Sequence, residues 1–140
     1  MLSWTHWRDK SQSSLAAAQV LLDHDKPVEA ASRAYYAAYQ MVTAVLLKLR
    51  LEPRSEYGNW SHHETVAMYH THICRRAVLG FKEKQALMSL FLKFHALLET
   101  RYLADYGDSS KTVVPVAQSC WRDANRIISL LHSLIRRGLL

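Results

Sequence analysis

The sequence predicts an all-α fold: an antiparallel up-and-down bundle of four to five helices. Three observations carry this. Turn formers are scarce, with four Gly and three Pro in 140 residues, while Ala and Leu, both strong helix formers, are abundant. Between Pro27 and Leu49 the apolar residues recur at alternating steps of four and three, the period of a helix and not of a strand. Finally, Pro27, Gly58, Gly107 and Gly138 stand where such periodic segments start or stop. The length suits one domain, residues 1–140. A chain of this size buries enough surface to fold without a staple.

The first helix is expected from about Thr5 to Leu22 and stops at "DHDKP". Pro27 fits the first turn of the second helix, which runs to about Leu49. In that helix Ala31, Tyr35, Ala38, Val42, Val45 and Leu49 lie near one line, a seam for packing against a neighbour. Ala34, Ala37, Met41 and Ala44 widen the apolar surface on one side, Tyr39 and Leu46 on the other. Only Glu29, Arg33 and Gln40 form a polar strip, so this helix is expected at the centre of the bundle. The alanines let neighbours approach, and the tyrosines fill volume further out.

"LEPRSEYGNWS" reads as a loop. Ser61 followed by Glu64 has the spacing of a capping box, opening a third helix expected to end near Gly80. The fourth helix runs from about Lys82 to Tyr106 and ends at Gly107. Its stripe Leu87, Phe91, Phe94, Leu98 continues at the same spacing into Arg101 and Asp105, which can pair along the helix. Two readings stand: the helix outruns the core and the pair is exposed, or the pair lines a polar cleft. "DSSKTVV" is a second loop, and a fifth helix runs from about Pro115 to just before Gly138.

The formal net charge is +6 with a pI near 9.5, compatible with a polyanionic partner. From Ser109 onward Lys111, Arg122, Arg126, Arg136 and Arg137 face one acid, Asp123. Two cysteines, Cys74 and Cys120, show no disulfide pattern. The N-terminus lacks the features of a signal peptide, and no apolar run is long enough to span a bilayer. The expected compartment is therefore the cytoplasm, with no membrane partner.

His62, His63, His70, His72 and Cys74 cluster in the third helix, but their spacing is not that of a metal motif, and no metal or cofactor is expected. No glycine-rich phosphate loop or nucleophile elbow occurs. Arginine and histidine together suffice for one metal-free reaction. Arginine holds a scissile phosphate and histidine moves protons, while RNA supplies its own 2′-hydroxyl nucleophile. Arg126 and His132 are a local candidate pair, although six residues of straight helix turn them about 120° apart.

"SRAYYAAYQMVTAVLL" (Ser32 to Leu47) resembles the second-helix signature of HEPN-domain proteins, the higher-eukaryote and prokaryote nucleotide-binding family, and in particular the small stand-alone prokaryotic subgroup. "SHHETV" resembles that subgroup's entry into helix three, with His63 at the histidine position. "LLETRYLADY" resembles its close of helix four, supplying Arg101, Asp105 and Tyr106. The resemblance covers nearly the whole chain. It implies a helical bundle that commonly dimerises, often a metal-independent RNase of a toxin–antitoxin module with a minimal nucleotidyltransferase as partner.

The family's catalytic pattern is Arg, four to six residues, then His; here Tyr106 follows Arg101 after four. The resemblance thus implies a catalytic set of Arg101, His63 and Tyr106, with Arg126 and His132 as the rival pair. Arg101, Asp105 and Arg33 are the expected RNA- or nucleotide-binding residues. Two functions stay open: an RNA- or nucleotide-interacting protein, with RNase activity in doubt, and a catalytically inactive dimer that regulates a nucleotidyltransferase.

Overall fold

A computed structural model describes residues 2–140; the first residue of the expected 1–140 domain lies outside them. Five α-helices and no strand occur among the described residues: α1 (Trp4–Asp23), α2 (Pro27–Lys48), α3 (His62–Met68), α4 (Phe81–Tyr106) and α5 (Val114–Arg136). Each start has a local cause. The Ser3 hydroxyl accepts from the His6 amide at the head of α1. Pro27 opens α2, and Pro115 lies in the first turn of α5. Ser61 and Glu64 form the reciprocal capping box at α3. At the far end of α5, Gly138 adopts φ +72°, a left-handed conformation that stops a helix at little steric cost in glycine.

The four long helices alternate in direction, while α3 runs the same way as α2. The loop 49–61 carries the chain back along α2, so that Tyr39 Oη donates to Trp60 O (2.8 Å). From there the chain descends again until Arg76 Nε reaches Leu139 O (3.1 Å), at the end where Lys48 Nζ meets Leu140 O (2.9 Å). As expected, α2 is central and packs on all four other helices. Tyr35, Ala38, Val42 and Val45 of its seam are fully buried, and Leu49 at its end is half-buried. Small side chains permit the close α1–α2 approach, where Ser11 Oγ donates to Ala37 O at 2.6 Å.

One expectation is corrected. The third helix does not continue to Gly80. Its α-helical part ends at Met68, a π-helical turn spans Tyr69–Cys74, and residues 75–80 form turns before α4. A π turn widens the ladder and re-phases the side chains. This brings Tyr69, Ile73 and Cys74 all into the core, and Tyr69 Oη donates to Leu87 O (2.7 Å). The chain then reverses beneath buried Leu79, and Gly80 caps the start of α4 instead of ending α3.

Candidate functional site

Where α4 outlasts the apolar core, its stripe turns ionic, with Arg101 covered and Asp105 at the surface. Arg101 is only 5% exposed. The helix repeat carries Asp105 one turn onward, placing Oδ2 2.9 Å from Arg101 Nε. The Nε–H is not aimed at that oxygen, so the contact is ionic and Nε lacks a directed hydrogen bond. Ser32 Oγ of α2 donates to the same carboxylate oxygen at 3.3 Å. The fourth-helix pair is therefore not a freely exposed one.

Three tyrosines enclose the guanidinium. Arg101 Nη2 donates to Tyr36 Oη (2.9 Å) and, less closely, to Tyr106 Oη (3.4 Å). The guanidinium carbon stands 5.4, 5.3 and 5.1 Å from the ring centroids of Tyr36, Tyr102 and Tyr106, a cation–π arrangement. Burial opposes the charge, but Tyr36, Asp105 and Tyr106 hold the arginine's pKa above its usual value. Nη1 makes no hydrogen bond among the described residues.

Two imidazoles adjoin this cluster from the start of α3. His62 is half-buried among Tyr35, Tyr36 and Tyr39, with ring centroids 5.4, 5.8 and 4.9 Å away. Its Nδ1 shares a hydrogen bond with Tyr35 Oη at 2.8 Å. Burial, then the Arg101 charge and then His63 push its pKa below the ordinary imidazole value, while Asp105 pulls the other way. The ring is thus held toward its neutral form. Burial also raises the Tyr35 pKa, so that hydroxyl keeps its proton and can turn to serve either state of Nδ1. His63 is exposed and stacks on Tyr102 (5.8 Å between centroids, 21° between planes).

An open groove of about 610 Å³ lies alongside, lined by Arg33, Ser32, Tyr36, Asp105, Glu29 and Leu21. Of the sequence-expected residues, Arg101, Asp105, Tyr106, His63 and Arg33 therefore gather at this one end of the bundle. Arg126 is exposed on α5, and His132 is half-buried with Arg136 and Arg8 as its charged neighbours; the structure does not bring these two together. No group of three His, Cys, Asp or Glu side chains among the described residues is arranged to hold a metal ion.

His62, Tyr36 and Tyr102 are the site residues that sequence reasoning passed over. For His62 a signal existed. Once Ser61 is the N-cap, His62 lies three, four and seven residues before Thr65, Val66 and Tyr69, all buried, and so shares their inward face. His63 is rotated about 100° from it.

Against known proteins, a model of the HEPN domain matches residues 4–134. No curated protein matches the chain.

Proposed function

The chain belongs to the HEPN-domain family, and from that premise we propose that it engages RNA at the Arg101 cluster and cleaves it without a metal. The single observation that carries the reading is a buried guanidinium whose Nη1 makes no hydrogen bond among the described residues, set among tyrosines beside a half-buried, hydrogen-bonded imidazole. Arg101 Nη1 holds a non-bridging oxygen of the scissile phosphate. His62 Nε2 accepts the proton of the 2′-hydroxyl as its oxygen attacks phosphorus. The P–O5′ bond breaks, the 5′-oxygen takes a proton from water, the imidazolium returns its proton to solvent, and the product is a 2′,3′-cyclic phosphate. Tyr106 positions the phosphate from the place where the family keeps its histidine. His63 and Tyr102 form a stacked platform of the kind on which a base can lie, and Arg33 guides the backbone along the groove.

This reading moves proton transfer from His63 to His62, because His62 is half-buried, hydrogen-bonded by Tyr35 and packed on the Tyr36 that accepts from Arg101, whereas His63 is exposed. The test is cleavage of an RNA panel in EDTA with analysis of the product termini. Cyclic-phosphate ends that vanish in Arg101→Ala support it; intact RNA with and without added metal refutes it.

A second reading has its own observation. Asp105 already neutralises Arg101, and tyrosine replaces the family's histidine. In that reading the protein is an inactive dimer that binds a nucleotidyltransferase, and it leaves RNA intact while co-purifying with that enzyme. Either role fits a toxin–antitoxin or defence system in the cytoplasm.

A further inference from the structure

The charge of this protein is not spread over it. At the end of the bundle opposite Arg101, the close of α2 brings Lys48 and Arg50, and the turn after the π-helix brings Arg75 and Arg76. The start of α4 adds Lys82 and Lys84, the close of α5 adds Arg136 and Arg137, and Arg8 stands on the first turns of α1. Contacts tie these segments to one end. Lys48 and Arg76 hold main-chain oxygens of Leu140 and Leu139. Arg137 pairs with Glu83 at 2.6 Å, and Arg8 and Lys48 both stand over the Trp4 ring at 5.4 and 5.6 Å.

These nine cations meet three acids, Asp9, Glu52 and Glu83, a local excess of six positive charges. Helix dipoles do not explain the surplus. Three helical C-termini and two N-termini meet here, and at roughly half a charge each they nearly cancel. Like charges kept together at a cost in self-repulsion point to a polyanion.

We propose that this basic end is a second binding surface, which takes the phosphodiester backbone of single-stranded RNA. The choice of RNA rests on the function proposed above. It is also favoured by aromatic side chains among the cations: half-buried Trp4, with Arg8 and Lys48 over its ring, and Phe81, which is 79% exposed beside Lys82. Interleaved cations and aromatic faces suit a single strand, whose bases stack while its phosphates pair. A bilayer would want a continuous apolar helix face, and here Val78 and Phe81 protrude singly from a ring of charge. By helix rise, Lys82 and Arg101 are about 28 Å apart, so one strand engages both ends only if it runs the length of the bundle.

The test uses the whole chain with Arg75→Glu, Lys82→Glu and Arg136→Glu combined. Arg75, Lys82 and Arg136 are exposed and make no side-chain hydrogen bond or ion pair among the described residues. Circular dichroism and thermal melting confirm that the variant folds. Binding of a fluorescein-labelled oligouridylate is followed by anisotropy over roughly 50–200 mM salt. The wild type binds with a steep salt dependence. The variant binds at least tenfold more weakly, and its log–log salt slope falls by about 2, from three lost contacts at about 0.7 each. Cleavage of the dinucleotide UpA, too short to span the bundle, is unchanged by the triple reversal. Equal RNA affinity in variant and wild type overturns the proposal while leaving the Arg101 reading intact. RNA binding lost in the variant without any cleavage by wild type upholds this surface and sinks the RNase reading. Wild-type binding to phosphatidylserine vesicles in place of RNA overturns the choice of ligand.

Discussion

Arg101 is where the physical chemistry of single residues is most demanding. A buried guanidinium is costly unless its charge and donors are met, and here Asp105, Tyr36 and Tyr106 meet most of them. Arg101→Ala is expected to slow RNA cleavage by on the order of 10²–10³, as for loss of an oxyanion donor. Arg101→Lys fares little better, because an ammonium lacks the planar fork. His62→Asn does damage similar to Arg101→Ala, whereas His63→Asn and Tyr106→Phe are milder; single-turnover cleavage rates decide the order. If His63→Asn proves the more harmful, the proton-transfer role returns to the exposed ring. His62 also links stability to pH. Its folded pKa, like that of His132, lies below the ordinary 6.5. The contribution is full above pH 6.5 and is lost as pH falls through the folded values, since the unfolded chain takes up protons first. Urea midpoints should therefore drop below that pH, and less steeply in His62→Asn.

At the scale of helices, α2 and α3 carry opposite lessons. α2 is governed by small side chains at close contacts. Ala38→Leu adds volume where nothing is exposed and is expected to cost about 1–3 kcal/mol in urea unfolding. α3 is short and depends on its ends. Ser61→Ala removes the acceptor that holds the Glu64 amide, at a cost of about 1 kcal/mol. It should also loosen His62, the first helical residue, so a fall in cleavage beyond the fall in stability is expected. Equal activity at full folding would show that the cap does not position the imidazole.

Over the whole molecule, α4 bears an exposed apolar stripe: Met88, Leu92, Leu103 and Tyr106. This stripe motivates the prediction of a homodimer formed through α4. Light scattering at micromolar concentration should give about twice the 16.1 kDa chain mass, a dimer whose interface is apolar at its core. Leu92→Glu combined with Leu103→Glu should return one chain mass. A wild type that stays monomeric through dilution would remove the dimer and any composite site with it. Among the described residues no helix is long and apolar enough to cross a membrane.

The all-α class, the centrality of α2 and the limits of four of the five helices were legible in the sequence, because helix period, caps and breakers act between residues a few positions apart. The gathering of Arg101, Asp105 and Tyr106 was legible for the same reason: all three lie within two turns of one helix. The π turn at Tyr69–Cys74 was not, since it answers to the core that must accept Tyr69, Ile73 and Cys74 together. Nor was the pairing of Tyr36 with Arg101, 65 residues apart, or the meeting of His62 with Tyr35 and Tyr36 of α2. The charge told the same story. The excess of cations was plain in composition, and a basic run was visible after Ser109. The concentration of cations at one end arose only when alternating helices brought the ends of α2, α3 and α5 beside the starts of α1 and α4. Local interactions select the elements, but only packing decides which distant side chains share a dielectric and a charge.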